Sequence, residues 1–175
     1  MNLPNKLTIL RIILIPFFMA LLLTGHYYIS GVIFIIASLT DALDGHIARK
    51  NNLITNFGKI MDPLADKLLV TAALVCLVQL GDVPAWMVVV ILAREFAITG
   101  LRAVAAGDGI IIAAGWSGKI KTVTQMVAVI LILLKNWPFE LIGFPFATVM
   151  LWIAVIMTIV SGVEYIYKNR QIFLS

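Results

Sequence analysis

The chain has 175 residues, of which 62% are hydrophobic and only 13% charged, with a formal net charge of +4 and a mean hydropathy of +1.05. A soluble domain of this length needs a largely polar skin, whereas a chain immersed in lipid can be apolar inside and out, so the composition excludes an ordinary soluble enzyme. One cysteine, Cys76 in an apolar run, excludes an internal disulfide framework and reads as a small buried hydrophobe.

Met1 to Thr8 is polar and contains Pro4, which predicts a short segment lying along the membrane interface. Apolar runs then predict six spans near 9–25, 29–48, 62–80, 84–105, 119–135 and 145–167. The first lacks a small-residue cleavage site and is followed by equally apolar sequence, so it reads as a retained span with Pro16 as a possible kink. At about 1.5 Å per residue most of the spans reach across a hydrocarbon layer of about 30 Å. The expected fold is all-α: a polytopic membrane protein of six transmembrane helices, one domain over residues 1–175, with the short N-terminal interfacial segment.

Turns fall into two sets. Residues 25–30, 81–84 and 136–143 form one, and residues 51–58 and 107–118 the other. With the second set and both termini on one side, Lys6, Arg11, Arg49, Lys50, Lys59, Lys67, Arg102, Lys119, Lys121, Lys168 and Arg170 gather there, and Lys135 stands opposite. Excess positive charge marks the cytoplasmic face, so that side is expected to face the cytoplasm. Glycines 100, 115, 118, 143 and 162 read mostly as packing or turn residues.

Two carboxylate pairs stand at that charged side. Asp41 and Asp44 lie about 60° apart on one helical face, and Asp62 and Asp66 are one turn apart on the next segment, behind a short polar loop that lets the two helices pack as antiparallel neighbours. Four such charges at the edge of a low-dielectric bundle repel one another unless a cation compensates. Oxygen-only donors favour Mg2+ or Mn2+ over zinc, and four carboxylates suffice for two ions that hold a diphosphate, or for fewer with one carboxylate left to take a proton. The structural alternative makes Asp62 a helix cap ahead of Pro63, and pairs Asp44 or Asp66 with Arg49 or Lys67. Gly45 and Ala48 lack bulk, which suits either a flat ligand or close helix packing.

A second polar cluster comprises Arg94, Glu95, Arg102, Lys119, Lys121 and Gln125. Arg94 and Glu95 sit inside the fourth span and must face the bundle. Arg102, Lys119 and Lys121 are placed to form a basic pocket for an anionic acceptor, although basic residues at cytoplasmic helix ends are also expected of any such topology.

The string Asp41-x2-Asp44-Gly45-x2-Ala48-Arg49-x8-Gly58-x3-Asp62-x3-Asp66 resembles the signature of the CDP-alcohol phosphotransferase family, with no departure in its eight fixed residues. The resemblance implies that Asp41, Asp44, Asp62 and Asp66 line a site for two metal ions, Mg2+ or Mn2+, and that Asp66 is also the base that deprotonates the acceptor hydroxyl. Gly45 and Ala48 would make room for the cytidine, Arg49 would meet the diphosphate or its nucleotide surroundings, and Gly58 would permit close approach. A six-helix core, homodimers among membrane lipids and no nucleic-acid partner are implied as well.

Within the family, Asn2-x-Pro4-Asn5-x2-Thr8-x2-Arg11, Arg94-Glu95-Phe96-x2-Thr99-Gly100-x-Arg102 and Gly118-Lys119-x-Lys121-Thr122-x2-Gln125 look like the branch that passes a phosphatidyl group from CDP-diacylglycerol to glycerol 3-phosphate in a bacterial inner membrane. Asn5 and Thr8 would then lie near the phosphates of the nucleotide-lipid, and Arg94, Arg102, Lys119 and Lys121 near glycerol 3-phosphate. Two rivals remain: a sister enzyme that uses phosphatidylglycerol or inositol phosphate as acceptor, and a cation or metabolite transporter, in which intramembrane carboxylates are also normal.

Overall fold

The computed structural model describes residues 3–50, 56–107, 109, 110, 112 and 115–170, and it leaves the side chains of 3, 4, 41–50, 56, 57, 59, 60 and 63 undescribed. Six α-helices follow one another: α1 (Leu3–Leu23), α2 (Tyr27–Lys50), α3 (Asn56–Gln79), α4 (Ala85–Gly107), α5 (Trp116–Leu133) and α6 (Phe146–Lys168), with a 3-10 helix at Phe139–Ile142 before α6. The all-α expectation holds.

Each helix turns a stripe of residues three or four apart toward its neighbours, and the chemistry of the stripe changes along its length. On α1 the buried positions are Asn5, Thr8, Arg11, Ile15, Phe18 and Leu22, polar first and apolar later. On α4 the order reverses, with buried Met87, Val88 and Ile91 preceding half-buried Arg94 and Glu95, and with Arg102 exposed two turns further on. Helix α5 starts with buried Lys121 and Gln125 and continues with Ala128 and Val129, while α6 runs from Leu151 through Ala154 to Thr158, Ser161 and Tyr165. On α2, buried Ser30, Phe34 and Ala37 set a register that Asp41, Asp44 and Ala48 continue along the backbone. Successive helices therefore carry their polar ends alternately first and last, and an up-and-down bundle collects all of them at one end.

Contacts at both ends agree with that arrangement. At the polar end Thr8 meets Asp62, Lys67 meets Thr99, and Arg102 meets Tyr165. At the far end Trp86 and Trp152 approach with ring centroids 5.6 Å apart. There the Tyr27 hydroxyl donates to Asp82 (2.6 Å), and Lys135 Nζ lies 3.6 Å from the same carboxylate and 3.2 Å from the centroid of the Tyr27 ring. Asn136 closes the turn after α5: its amide donates to the Phe144 carbonyl (2.7 Å) and its oxygen accepts from the Ala147 N–H (2.9 Å). Lys135 and Asn136 both have positive φ, a conformation that a local side-chain hydrogen bond helps asparagine adopt.

The outward faces are apolar too. Phe17, Val89, Phe96, Val123 and Val163 are each more than three-fifths exposed, as suits surfaces solvated by acyl chains. Three helices are long and apolar enough to cross a membrane among the described residues: Asn5–Leu23, Trp116–Leu133 and Phe146–Lys168. Of the other helices, α3 carries Asp62, Asp66 and Lys67, and α4 carries Arg94, Glu95 and Arg102.

Two expectations need correction. No separate interfacial segment precedes α1 among the described residues: the helix is already formed at Leu3, because Asn5, Thr8 and Arg11 continue its buried stripe and Thr8 finds a partner in the bundle. Helix α3 begins at Asn56, so Asp62 lies inside the helix and is not its cap, and Pro63 is accommodated within the same helix. Among the described residues α2 and α3 touch one another, and α1 packs against both.

Candidate active site

The polar end is built around one face of α3. Gly58, Asp62 and Asp66 succeed one another at single-turn spacing, with Gly58 buried and the two carboxylates half-buried. Thr8 Oγ1 donates to Asp62 Oδ1 at 2.5 Å, which ties α1 to the second aspartate pair. Arg11, one turn beyond Thr8, is buried and donates from Nε to the Ala37 carbonyl (3.2 Å), tying α1 to α2 just before Asp41. Asn5 is buried on the same stripe.

Asp66 opens onto a cavity of about 440 Å3 between α3, α4 and α5, whose wall also includes Lys67, Arg94, Glu95, Thr99, Arg102, Lys119, Lys121 and Gln125. The fourth aspartate of the motif and all four proposed acceptor-binding cations thus share one chamber. Their surroundings differ. Lys121 is 2% exposed and forms an ion pair with Glu95, while Arg94 Nη1 lies 3.6 Å from the same carboxylate. Arg102 Nε donates to the Tyr165 hydroxyl (3.3 Å), and its guanidinium lies 5.4 Å from the centroid of that ring. Lys119 is exposed and reaches over Trp116, at 5.2 Å from the ring centroid. Lys67 donates to Thr99.

Arg94 fits because two glycines face it. A Cβ at Gly162 of α6 would stand 3.2 Å from Arg94 Cγ, and one at Gly118 of α5 would stand 3.5 Å from Nη2. These two glycines are packing residues, as expected, and what they pack against is a cation. Gly143 closes the 3-10 helix at φ +65°, and Gly100 faces open space.

Sequence reasoning assigns no site role to Arg11, Thr99 or Tyr165. Arg11 was grouped with the charges of the membrane face, yet the spacing of Asn5, Thr8 and Arg11 already set it on a buried helical stripe. The interval Thr158–Ser161–Tyr165 carried the same signal for Tyr165. The signal for Thr99 is its fixed place in the fourth-span string.

Asp41, Asp44, Gly45, Ala48 and Arg49 lie on the helical backbone of α2, and their side chains are outside the described residues. Among the described residues no group of three or more His, Cys, Asp or Glu side chains comes together to hold a metal. The donors present on α3 are carboxylate oxygens, one of them already oriented by a hydroxyl, and that chemistry fits a hard divalent cation.

Residues 1–160 match the model of the CDP-alcohol phosphatidyltransferase family, and the chain belongs to that family. Among individual relatives it is similar to the CDP-diacylglycerol--glycerol-3-phosphate 3-phosphatidyltransferase of Bacillus subtilis (strain 168), with 55% identity across 97% of this chain and 96% of that protein. Proteins of the same name from Rickettsia prowazekii (strain Madrid E), at 39% identity over 98% and 97% of the two chains, and from Haemophilus influenzae, at 40% over 94% and 91%, are also similar.

Proposed function

We propose that this chain transfers the phosphatidyl group of CDP-diacylglycerol to the primary hydroxyl of sn-glycerol 3-phosphate, giving phosphatidylglycerol phosphate and CMP. The observation that carries the reading is the shared chamber, in which the last aspartate of the family string stands with Arg94, Arg102, Lys119 and Lys121. A carboxylate beside a basic wall suits an acceptor that brings both a proton to lose and a phosphate to be held.

In this mechanism Asp66 takes the proton of the primary hydroxyl as that oxygen attacks the lipid-bearing phosphorus. The bond from that phosphorus to the bridging oxygen breaks, and CMP departs. Arg94, Arg102, Lys119 and Lys121 hold the acceptor phosphate, with Lys121 and Arg94 kept in register by Glu95. Asp41, Asp44, Asp62 and Asp66 would hold Mg2+ or Mn2+, two ions by the count of ligands, which supply charge neutralisation at the diphosphate. Thr8 orients Asp62, and Asn5, Gly45, Ala48, Arg49 and Gly58 accommodate the nucleotide. A single displacement is favoured because the chamber offers no Ser-His or Cys-His unit among its described residues.

The same reading makes all six helices membrane spans of one domain in a bacterial inner membrane, with the polar end toward the cytoplasm and a homodimer as the working form. The cation distribution supports that orientation: Lys135 is at the far end and the cavity cations are at the other.

Purified protein given CDP-diacylglycerol, Mg2+ or Mn2+ and an equimolar mixture of glycerol 3-phosphate, phosphatidylglycerol, inositol phosphate and serine should yield phosphatidylglycerol phosphate as the dominant lipid by mass. Dominance of another product would replace the acceptor, and no acceptor-dependent CMP release would remove the activity. A second expectation concerns Arg94. Gly162→Ala pushes on its aliphatic stem and should raise the KM for glycerol 3-phosphate by about tenfold, with little change in the KM for CDP-diacylglycerol.

A further inference from the structure

Two buried side-chain polar atoms lack a hydrogen-bond partner among the described residues: Arg94 Nε and Gln125 Oε1. Both residues line the chamber that Asp66 opens onto. Buried polar groups are ordinarily satisfied, and a pair of exceptions on one cavity wall indicates a ligand that completes them. One orphan is a donor and the other an acceptor. Their complement therefore carries an oxygen that accepts and a hydroxyl that donates.

Gln125 is 6% exposed and sits one turn beyond Lys121 on the buried stripe of α5. It does not share in the ion pairs of Lys121, Arg94 and Glu95. A neutral carboxamide oxygen at this place adds nothing to the capture of an anion, and beside cations that hold the phosphate it is suited to a different part of the same molecule. We infer that Gln125 is a specificity-determining residue for the acceptor alcohol, its Oε1 receiving a hydrogen bond from the hydroxyl that does not attack, the one on the middle carbon of glycerol 3-phosphate. The inference rests on the proposed function for the identity of the acceptor. The orphaned oxygen is an observation independent of it.

A site built to pair a hydroxyl discriminates against the analogue that lacks it, because the analogue leaves the buried acceptor unpaired. The test compares sn-glycerol 3-phosphate with 3-hydroxypropyl phosphate, which keeps the phosphate and the primary hydroxyl and lacks the middle one. Equilibrium binding to the wild-type protein should favour glycerol 3-phosphate by about tenfold or more, the equivalent of one ordinary hydrogen bond. In Gln125→Leu and Gln125→Met the ratio should fall toward one through weaker binding of glycerol 3-phosphate alone, and the ratio of kcat/KM values should follow it. Equal binding of the two ligands by the wild type, or an unchanged ratio in either variant, overturns the assignment. Binding needs no turnover, so the two readings separate. A wild type that discriminates but releases no CMP refutes the proposed activity and keeps Gln125, whereas a wild type that turns over both alcohols equally refutes Gln125 and keeps the activity.

Discussion

Asp66→Asn is expected to lower phosphatidyl transfer by at least about 10²-fold and as much as about 10⁴-fold, the range associated with loss of a positioned general base. The substitution keeps the shape of the side chain on the cavity wall and removes its capacity to take a proton. Binding of CDP-diacylglycerol should persist, weakened by the loss of one anionic ligand, and can be followed by equilibrium titration with the nucleotide-lipid. A variant that turns over as fast as the wild type would leave the attacking hydroxyl without the base assigned to it. Stereochemistry gives an independent check, since direct displacement inverts the transferred phosphorus and a covalent enzyme intermediate returns net retention.

The second large effect concerns stability. Lys121 is almost wholly buried and its charge is matched by Glu95. Removing one partner of such a pair leaves an uncompensated charge in a low-dielectric surrounding, at a cost of about 3–5 kcal/mol. Glu95→Gln should therefore lower the apparent melting temperature of the purified protein markedly. Glu95→Gln combined with Lys121→Met removes both charges and should recover most of that loss. Acceptor use should not follow the recovered stability, because the double variant lacks Lys121. Thermal denaturation and the acceptor KM, measured on both variants, separate the two roles. Equal stability of Glu95→Gln and wild type would show that the pair is not needed to hold the fold.

Much of the architecture was readable from the chain because it depends on lengths and spacings. The all-α class follows from apolar runs separated by short turns, and the helix order matches the expected one throughout. Boundaries failed where polar residues continue a helix. Asn5 and Thr8 look like the solvated start of a span, yet their intervals to Arg11 and Ile15 are those of a buried stripe. Asp62 before Pro63 looks like a cap, yet α3 starts at Asn56 and the Asp62 carboxylate accepts from Thr8 of α1. The aspartate string identified the family on its own, since its fixed spacing is itself the signal. The wall opposite Asp66 was only partly legible. Sequence gathers Arg94, Arg102, Lys119 and Lys121 by type, and it cannot say that Lys121 is matched by Glu95 while Arg102 rests on Tyr165, because those partners come from different helices.

The tie among Tyr27, Asp82 and Lys135 joins the start of α2, the turn between α3 and α4, and the residues following α5. Helices pinned together at one extremity behave like the ribs of a closed fan: spreading is easiest toward the opposite extremity, where Asp62 and Asp66 stand, and under the proposed function a two-tailed substrate would enter there from the side.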